Sequence, residues 1–185
     1  RTVLDPDDVD TSDYARALHG SGSTFLDLMQ LRLGQVLDPP DVVVHPRGPE
    51  QVHAVVQLCH RERIPLVPAG ARSSVTRGLA MPGGGVCMDL TRHMNRLLSL
   101  SPEDHTATVQ AGMLGPAYEA ALNALGFTCG HFPQSFEFSS VGGWLAARGA
   151  GQQSTYFGKI EDIVVGLRCA TPVGWLDTGA YPRVA

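Results

Sequence analysis

Ile64-Pro-Leu-Val-Pro-Ala-Gly-Ala-Arg-Ser-Ser74 is an apolar run that gives way to a loop of small residues. Upstream of it, Asp41-Val-Val-Val-His45 is a short β-branched stretch closed by Pro46, and Pro49 opens a helix through Arg63 with Val52, Val55, Val56 and Cys59 on one face. Strand, helix and strand therefore precede the loop, with Leu66-Val67 as the third piece. The loop falls at an element junction, where glycine lets backbone approach an anion and successive main-chain N–H groups form an anion-binding concavity. A second stretch of this kind, Pro133-Gln-Ser-Phe-Glu-Phe-Ser139, leads into Ser140-Val-Gly-Gly-Trp-Leu-Ala-Ala147. If both face one ligand, that ligand carries at least a pyrophosphate.

Between and beyond these loops, Gly85-Val-Cys-Met-Asp-Leu90, Leu97-Leu-Ser-Leu100 and Thr106-Ala-Thr-Val-Gln110 alternate as strands of sheets with one polar face. Gly115 to Gly126 carries Ala117, Ala120, Ala121, Leu122 and Leu125 at helical spacing and ends on a glycine where a C-cap belongs. Ile163-Val-Val-Gly-Leu-Arg-Cys-Ala170 and Trp175-Leu-Asp177, joined around Pro172-Val-Gly174, predict a hairpin with a wider loop. Residues 12–33 place Tyr14, Leu18, Leu26, Met29 and Leu33 at helical spacing, broken by Gly20-Ser-Gly22, and predict two short peripheral helices. The expected fold is α+β: an N-terminal helical segment over 1–40, then a two-lobed domain over 41–185 with lobes at about 41–100 and 101–185.

A chain of 185 residues is long enough for one substantial core or two small lobes. Its formal charge of −4 leaves no basic surface for a general nucleic-acid partner. No run approaches the roughly 18 apolar residues of a membrane span, and neither terminus has the layout of a signal peptide. Cys59, Cys87, Cys129 and Cys169 lack the close pairing of a zinc or redox site and predict reduced thiols in apolar surroundings. Arg1 at the start and the turn-rich Thr178-Gly-Ala-Tyr-Pro182 near the end suggest that both ends are cut. Lys159, the one lysine beside thirteen arginines, hints at a GC-rich bacterial source and hence a cytoplasmic protein.

Leu31-Arg-Leu-Gly34, Pro40-Asp-Val-Val43, Pro65-Leu-Val-Pro-Ala-Gly70, Gly130-His-Phe-Pro-Gln-Ser-Phe-Glu-Phe-Ser-Ser-Val-Gly-Gly-Trp144 and Gly158-Lys-Ile-Glu-Asp-Ile-Val-Val165 resemble the FAD-binding domain of the vanillyl-alcohol oxidase and p-cresol methylhydroxylase superfamily. Within it the match is narrower, to the alkylglycerone-phosphate synthase (alkyldihydroxyacetonephosphate synthase) branch, and runs from about His19 to Pro182. The resemblance implies a two-lobed FAD-binding domain of the p-cresol methylhydroxylase type, with the cofactor held in three segments. Carried over by matching position, these are Pro68, Ala69, Gly70, Ala71, Arg72, Ser73 and Ser74; Pro133, Gln134, Ser135, Phe136, Glu137, Phe138 and Ser139; and Ala146, Ala147, Arg148 and Gly149. Relatives usually have Gly-Gly-Gly-Thr-Ser where this chain has Gly70-Ala-Arg-Ser-Ser74, so a positive φ at 71 or 72 would be strained, whereas Arg72 offers a charge-assisted contact to the pyrophosphate. Ser73 stands where a flavin-attaching histidine would be expected, which predicts noncovalent FAD.

Other residues invite readings of their own. Gly149-Ala-Gly-Gln-Gln-Ser154 nearly spells a dinucleotide fingerprint, but Ser154 replaces the last glycine and no strand precedes it. His53 and His60, with Glu62 close by, share a helix face better read as solvated than as a metal site, so no metal is expected. His131 either caps a loop or hydrogen-bonds an isoalloxazine edge or a substrate phosphate; both readings stand. Trp144 reads as packing behind the cofactor, and Glu137 and Asp162 as structural.

The resemblance implies a flavoenzyme that replaces the acyl group of acyl-dihydroxyacetone phosphate by a fatty alcohol in ether-lipid synthesis, with no net oxidation and with FAD carrying the chemistry. Its acid/base and phosphate-holding residues would lie in a substrate domain absent from this chain, so the catalytic residues are unknown and the isolated chain should be inactive. An FAD-linked oxidase or dehydrogenase of a 2-hydroxy acid such as lactate or glycolate is the rival on the same flavin domain, and a noncatalytic flavin or interaction module is the third reading. The expected partners are FAD and a lipid-phosphate or 2-hydroxy-acid substrate, with no nucleic acid and no transmembrane segment; a homodimer is compatible with all three.

Overall fold

The computed structural model describes residues 3–180. The chain begins in the sheet: a 3-10 turn at Pro6–Asp8 feeds β1 (Val9–Asp10), followed by α1 (Asp13–His19) and α2 (Phe25–Arg32). Both helices start on a hydroxyl cap, Ser12 Oγ accepting from the Ala15 N–H and Thr24 Oγ1 from the Asp27 N–H. Then come β2 (Val42–Val44), α3 (Pro49–Glu62) with its proline in the first turn, β3 (Leu66–Ala69) and β4 (Val86–Asp89).

These strands form one sheet in the order β1-β2-β4-β3, with β1 antiparallel to β2 and the others parallel. Period-two alternation sends Val43, Ala69 and Cys87 to one face, against Ala15 of α1, Leu79 and Met81. Val44 and Met88 go to the other, against Val55 and Cys59 of α3. With both faces covered, the strands read as apolar runs. Parallel register sets Ala69 beside Asp89, so the carboxyl ends of β3 and β4 and the loop after β3 share one edge.

A second core follows. The ribbon β5 (Leu97–Ser101) and β6 (Thr106–Val109) packs with α4 (Gly115–Asn123), a 3-10 turn at Phe136–Phe138, and α5 (Val141–Ala147). Met113, Tyr118, Leu122, Val141, Trp144 and Ile160 are its buried residues, and Leu97 and Leu100 pack against them. The second core thus takes up the chain from Leu97 onward. Short helices α6 (Ser154–Phe157) and α7 (Ile160–Ile163) lead to the hairpin of β7 (Arg168–Thr171) and β8 (Gly174–Asp177).

Several expectations need correction. The N-terminal segment is not peripheral: β1 is a sheet edge, and Ala15 and His19 of α1 are buried. Ile163 ends a helix instead of opening a strand; Asp162 Oδ2 accepts the Lys159 N–H at 2.9 Å and closes the start of that turn. The hairpin loop is tight, with Thr171 opposite Gly174; Gly174 at φ 138° supplies the conformation a wider loop would have spared. Cys169 is exposed, and His53 is half-buried against the Trp175 ring at 5.0 Å, with the Arg168 guanidinium 4.2 Å from the same ring's centroid. Pro182 and the end of the turn-rich stretch lie outside the described residues. Among the described residues no helix is long and apolar enough to cross a membrane.

Candidate functional site

The loop after β3 is shaped from both sides. Pro68 is exposed, Ala69 is buried, and the next residue, Gly70, lies against Ser140: a Cβ on Gly70 would come within 2.1 Å of Ser140 Oγ. That close approach brings the first predicted segment against the residue that directly follows the second. Arg72 adopts φ 61°, the left-handed region that costs a side-chain-bearing residue about 1 kcal/mol or more. The loop's carbonyls point back to the N-terminal segment, the Ser74 carbonyl accepting from the Ser23 N–H at 2.7 Å and the Arg72 carbonyl from Ser23 Oγ at 3.4 Å. Among the described residues, the N–H groups of Ala71, Arg72, Ser73 and Ser74 donate to no protein acceptor. The half-buried Arg72 has no carboxylate within ion-pair distance.

Behind the loop is a buried polar cluster. His19 donates through Nδ1–H to the Ala15 carbonyl at 2.8 Å, and its Nε2 lies 3.1 Å from Asp89 Oδ2 and 3.4 Å from Arg72 Nη1. Asp89 Oδ1 accepts from the Thr91 N–H and hydroxyl, each at 2.7 Å. Burial works to raise the Asp89 carboxyl, but the His19 and Thr91 hydrogen bonds outweigh it and bring it down to about 2. His45 Nδ1 stands 3.5 Å from Asp89 Oδ2 without a hydrogen bond, and burial lowers its pKa.

In the second segment, Phe136, Glu137 and Phe138 form the 3-10 turn, with Glu137 and Phe138 exposed. Ser139 is buried and its Oγ accepts the Trp144 indole N–H at 2.6 Å, so Trp144 is the packing residue its sequence context predicts. Ser140 caps α5 through its Oγ, which accepts from the Gly143 N–H. Pro133 accepts the Phe136 N–H, and Gln134 lies with Ala150, Gly151 and Gln152 around a shallow cleft. Ser135 is half-buried.

The third segment lies apart. Ala146 and Ala147 are exposed on the last turn of α5, roughly 10 Å from its start at 1.5 Å per residue. Arg148, at φ 50°, pairs with Glu161, and the Gly149 carbonyl accepts the Ile160 N–H. The first two predicted segments therefore converge, meeting at Gly70 and Ser140 and across a groove of about 440 Å³ bordered by Ala71, Arg72 and Phe138 with Tyr14 and Leu18. The third follows at the far end of α5, where a Cβ on Gly149 would stand 3.4 Å from His131 Nε2.

The position of His131 bears on the first of its two readings. It is 1% exposed, sits edge-on to Trp144 at 5.0 Å, and among the described residues neither ring nitrogen has a hydrogen-bond partner. It therefore caps no loop; burial lowers its pKa and favours the neutral ring. Glu137 engages no partner that would make it an acid or base, and Asp162 accepts the Lys159 N–H in the α7 cap. Sequence reading missed His19, Ser23 and Asp89, which come from separations of 49 to 70 residues; no local spacing signals such contacts.

An FAD binding domain family model matches residues 40–178. Alkyldihydroxyacetonephosphate synthase of Dictyostelium discoideum is 38% identical over 175 residues, 93% of this chain and 28% of the relative. A solved structure of an alkyldihydroxyacetonephosphate synthase superposes with a TM-score of 0.91 at 36% identity, covering 96% of this chain and 34% of the solved one. Glycolate oxidase subunit GlcD of Bacillus subtilis is 28% identical over 165 residues, 89% of this chain and 33% of the relative. The chain thus spans about a third or less of the length of the proteins it matches.

Proposed function

The chain belongs to the FAD-binding domain family, and from that premise we propose that it is the flavin-holding part of an alkyldihydroxyacetonephosphate synthase-like transferase. The reading rests on one observation above all: a loop whose carbonyls at 72 and 74 are tied down while the N–H groups of 71–74 have no acceptor among the described residues, with a half-buried Arg72 that touches His19 but forms no ion pair there. Free amides and an uncompensated guanidinium fit a pyrophosphate, the most highly charged part of FAD. Residues 68–74 would hold that group, residues 133–139 would lie along the cofactor next to it, and residues 146–149 would bound its far side. The identity of 38% with the Dictyostelium synthase, against 28% with the glycolate oxidase subunit, favours the transferase branch.

In that reaction the bond between C1 of dihydroxyacetone phosphate and the acyl carboxylate oxygen breaks, the fatty alcohol oxygen bonds to C1, and the alcohol proton leaves with the carboxylate. Nothing is oxidised overall. FAD, when bound, supplies the reactive ring system. The residues of this chain would bind and orient it; the groups that hold the substrate phosphate would be supplied outside these 185 residues. We also propose that the flavin is noncovalent, because Ser73 offers no ring nitrogen for attachment.

The test is to purify the full-length protein, add FAD, desalt, and record the visible spectrum before and after acid precipitation. Retained flavin that acid releases into the supernatant is the expected result; flavin that stays in the pellet would refute noncovalent binding. Consumption of acyl-dihydroxyacetone phosphate and a fatty alcohol without an electron acceptor is expected of the holoprotein. Anaerobic bleaching of the flavin by lactate or glycolate would instead make it a 2-hydroxy-acid oxidoreductase.

A further inference from the structure

The family match begins at residue 40, yet the bonds that shape the phosphate loop come from before it. We propose that residues 19–27, at the end of α1 and the turn into α2, are the positioning element of the pyrophosphate loop, with His19 acting through Arg72. This rests on the FAD reading above.

Three contacts carry it. His19 is 4% exposed and spans α1 and the sheet: its Nδ1 side is fixed by the Ala15 carbonyl, and its Nε2 faces both Asp89 Oδ2 and Arg72 Nη1. Asp89 is itself anchored at the end of the central strand by Thr91, so the imidazole wedges the guanidinium against a rigid edge. Ser23 accounts for both loop carbonyls that are bonded, at 72 and 74. Gly22 touches the loop so closely that a Cβ there would come within 2.5 Å of the Ser74 carbonyl oxygen. Asp27 holds the strap in shape, accepting the Gly22 N–H at 3.2 Å, and lies 3.7 Å from Arg77, at the loop's exit.

The physical consequence concerns strain. Arg72 occupies the left-handed region without glycine's freedom, and a strained residue persists where its surroundings over-determine it. Here the surroundings are the strap: its bonds take the carbonyls of residues 72 and 74, while the N–H groups of 71–74 have no acceptor among the described residues. The chain thereby does with tertiary contacts what a run of glycines would permit by conformational freedom alone, and it gains a cation at the site.

The test is FAD affinity of the full-length protein by flavin fluorescence titration, for wild type, His19→Ala, Arg72→Ala and the double variant, with thermal unfolding alongside. Each single variant is expected to weaken FAD by about tenfold, and the double variant no more than Arg72→Ala alone, because His19 acts through that side chain. Multiplying effects, or His19→Ala binding as tightly as wild type, would overturn the proposal while leaving the FAD reading intact. Wild-type protein that takes up no FAD would sink both. If His19→Ala does not fold, Gly22→Ala carries the test from the opposite contact: a methyl there displaces the Ser74 carbonyl, and unchanged FAD affinity would refute the strap. Restoration of binding by His19→Gln, whose amide can donate to Asp89, would support a positioning role over mere bulk.

Discussion

Replacing Gly70 by alanine puts a methyl within 2.1 Å of Ser140 Oγ and 3.3 Å of its Cβ. Neither neighbour is a flexible tip, since Ser140 is 2% exposed and caps α5. The substitution is expected to cost roughly 1–3 kcal/mol as overpacking, seen as a lowered Tm, and to weaken flavin retention because it separates the two converging segments. At Asp89 the sign of the pH effect can be worked out. Its folded pKa, about 2, lies below the ordinary aspartate value of 3.8, so the stability it adds is fully present above about pH 4 and is lost as pH falls through 2. The shift corresponds to about 2 kcal/mol. Asp89→Asn should remove most of that and flatten the fall in Tm between pH 4 and pH 2; an unchanged acid limb would refute it. At this scale the sequence was partly legible. The Gly-Ala-Arg departure flagged strain at 71 or 72, and Arg72 carries it; what relieves that strain lies 49 and 53 residues away.

Helix α5 is the element that couples the site's parts. Its N-cap touches Gly70, its indole holds Ser139, and its last turn carries Ala146 and Ala147. Gly142 faces Ala111, whose Cβ and carbonyl oxygen would lie 2.7 and 2.8 Å from an added Cβ. Gly142→Ala should therefore tilt the helix off the β6–α4 connection and lower Tm, with a cost of about 1–3 kcal/mol, whereas an unconstrained helix would gain from the same change. Trp144→Phe keeps the ring but leaves Ser139 Oγ without its donor, and a loss of about 1–2 kcal/mol is expected. Most elements were readable because proline, glycine and apolar period mark them: β2, α3, β3, β4, β5, β6 and α4 fall where periodicity places them. The turn at Ile160–Ile163 was not, because a single turn is too short for its apolar residues to display a helical period.

At the scale of the molecule, two cores meet where the loop after β3 of the first approaches the start of α5 in the second. A ligand bound across that junction should stabilise the whole cooperatively. FAD at a hundred times its Kd is expected to add about 2.7 kcal/mol, measured as a rise in Tm that grows with FAD concentration; no rise would contradict a site shared by both cores. By itself the amino-acid sequence determined the α+β class, the order of elements and the two small-residue segments, because those follow from local spacing, turn chemistry and the propensities of a few residues. Only the tertiary structure decided that α1 and the turn after it pack on the loop after β3, that Gly70 meets Ser140, that Ala146–Gly149 lies at the far end of α5, and that His131 is buried beside Trp144. These depend on which distant surfaces pack together, and packing is set by the whole set of buried faces at once, so no single stretch of sequence contains it.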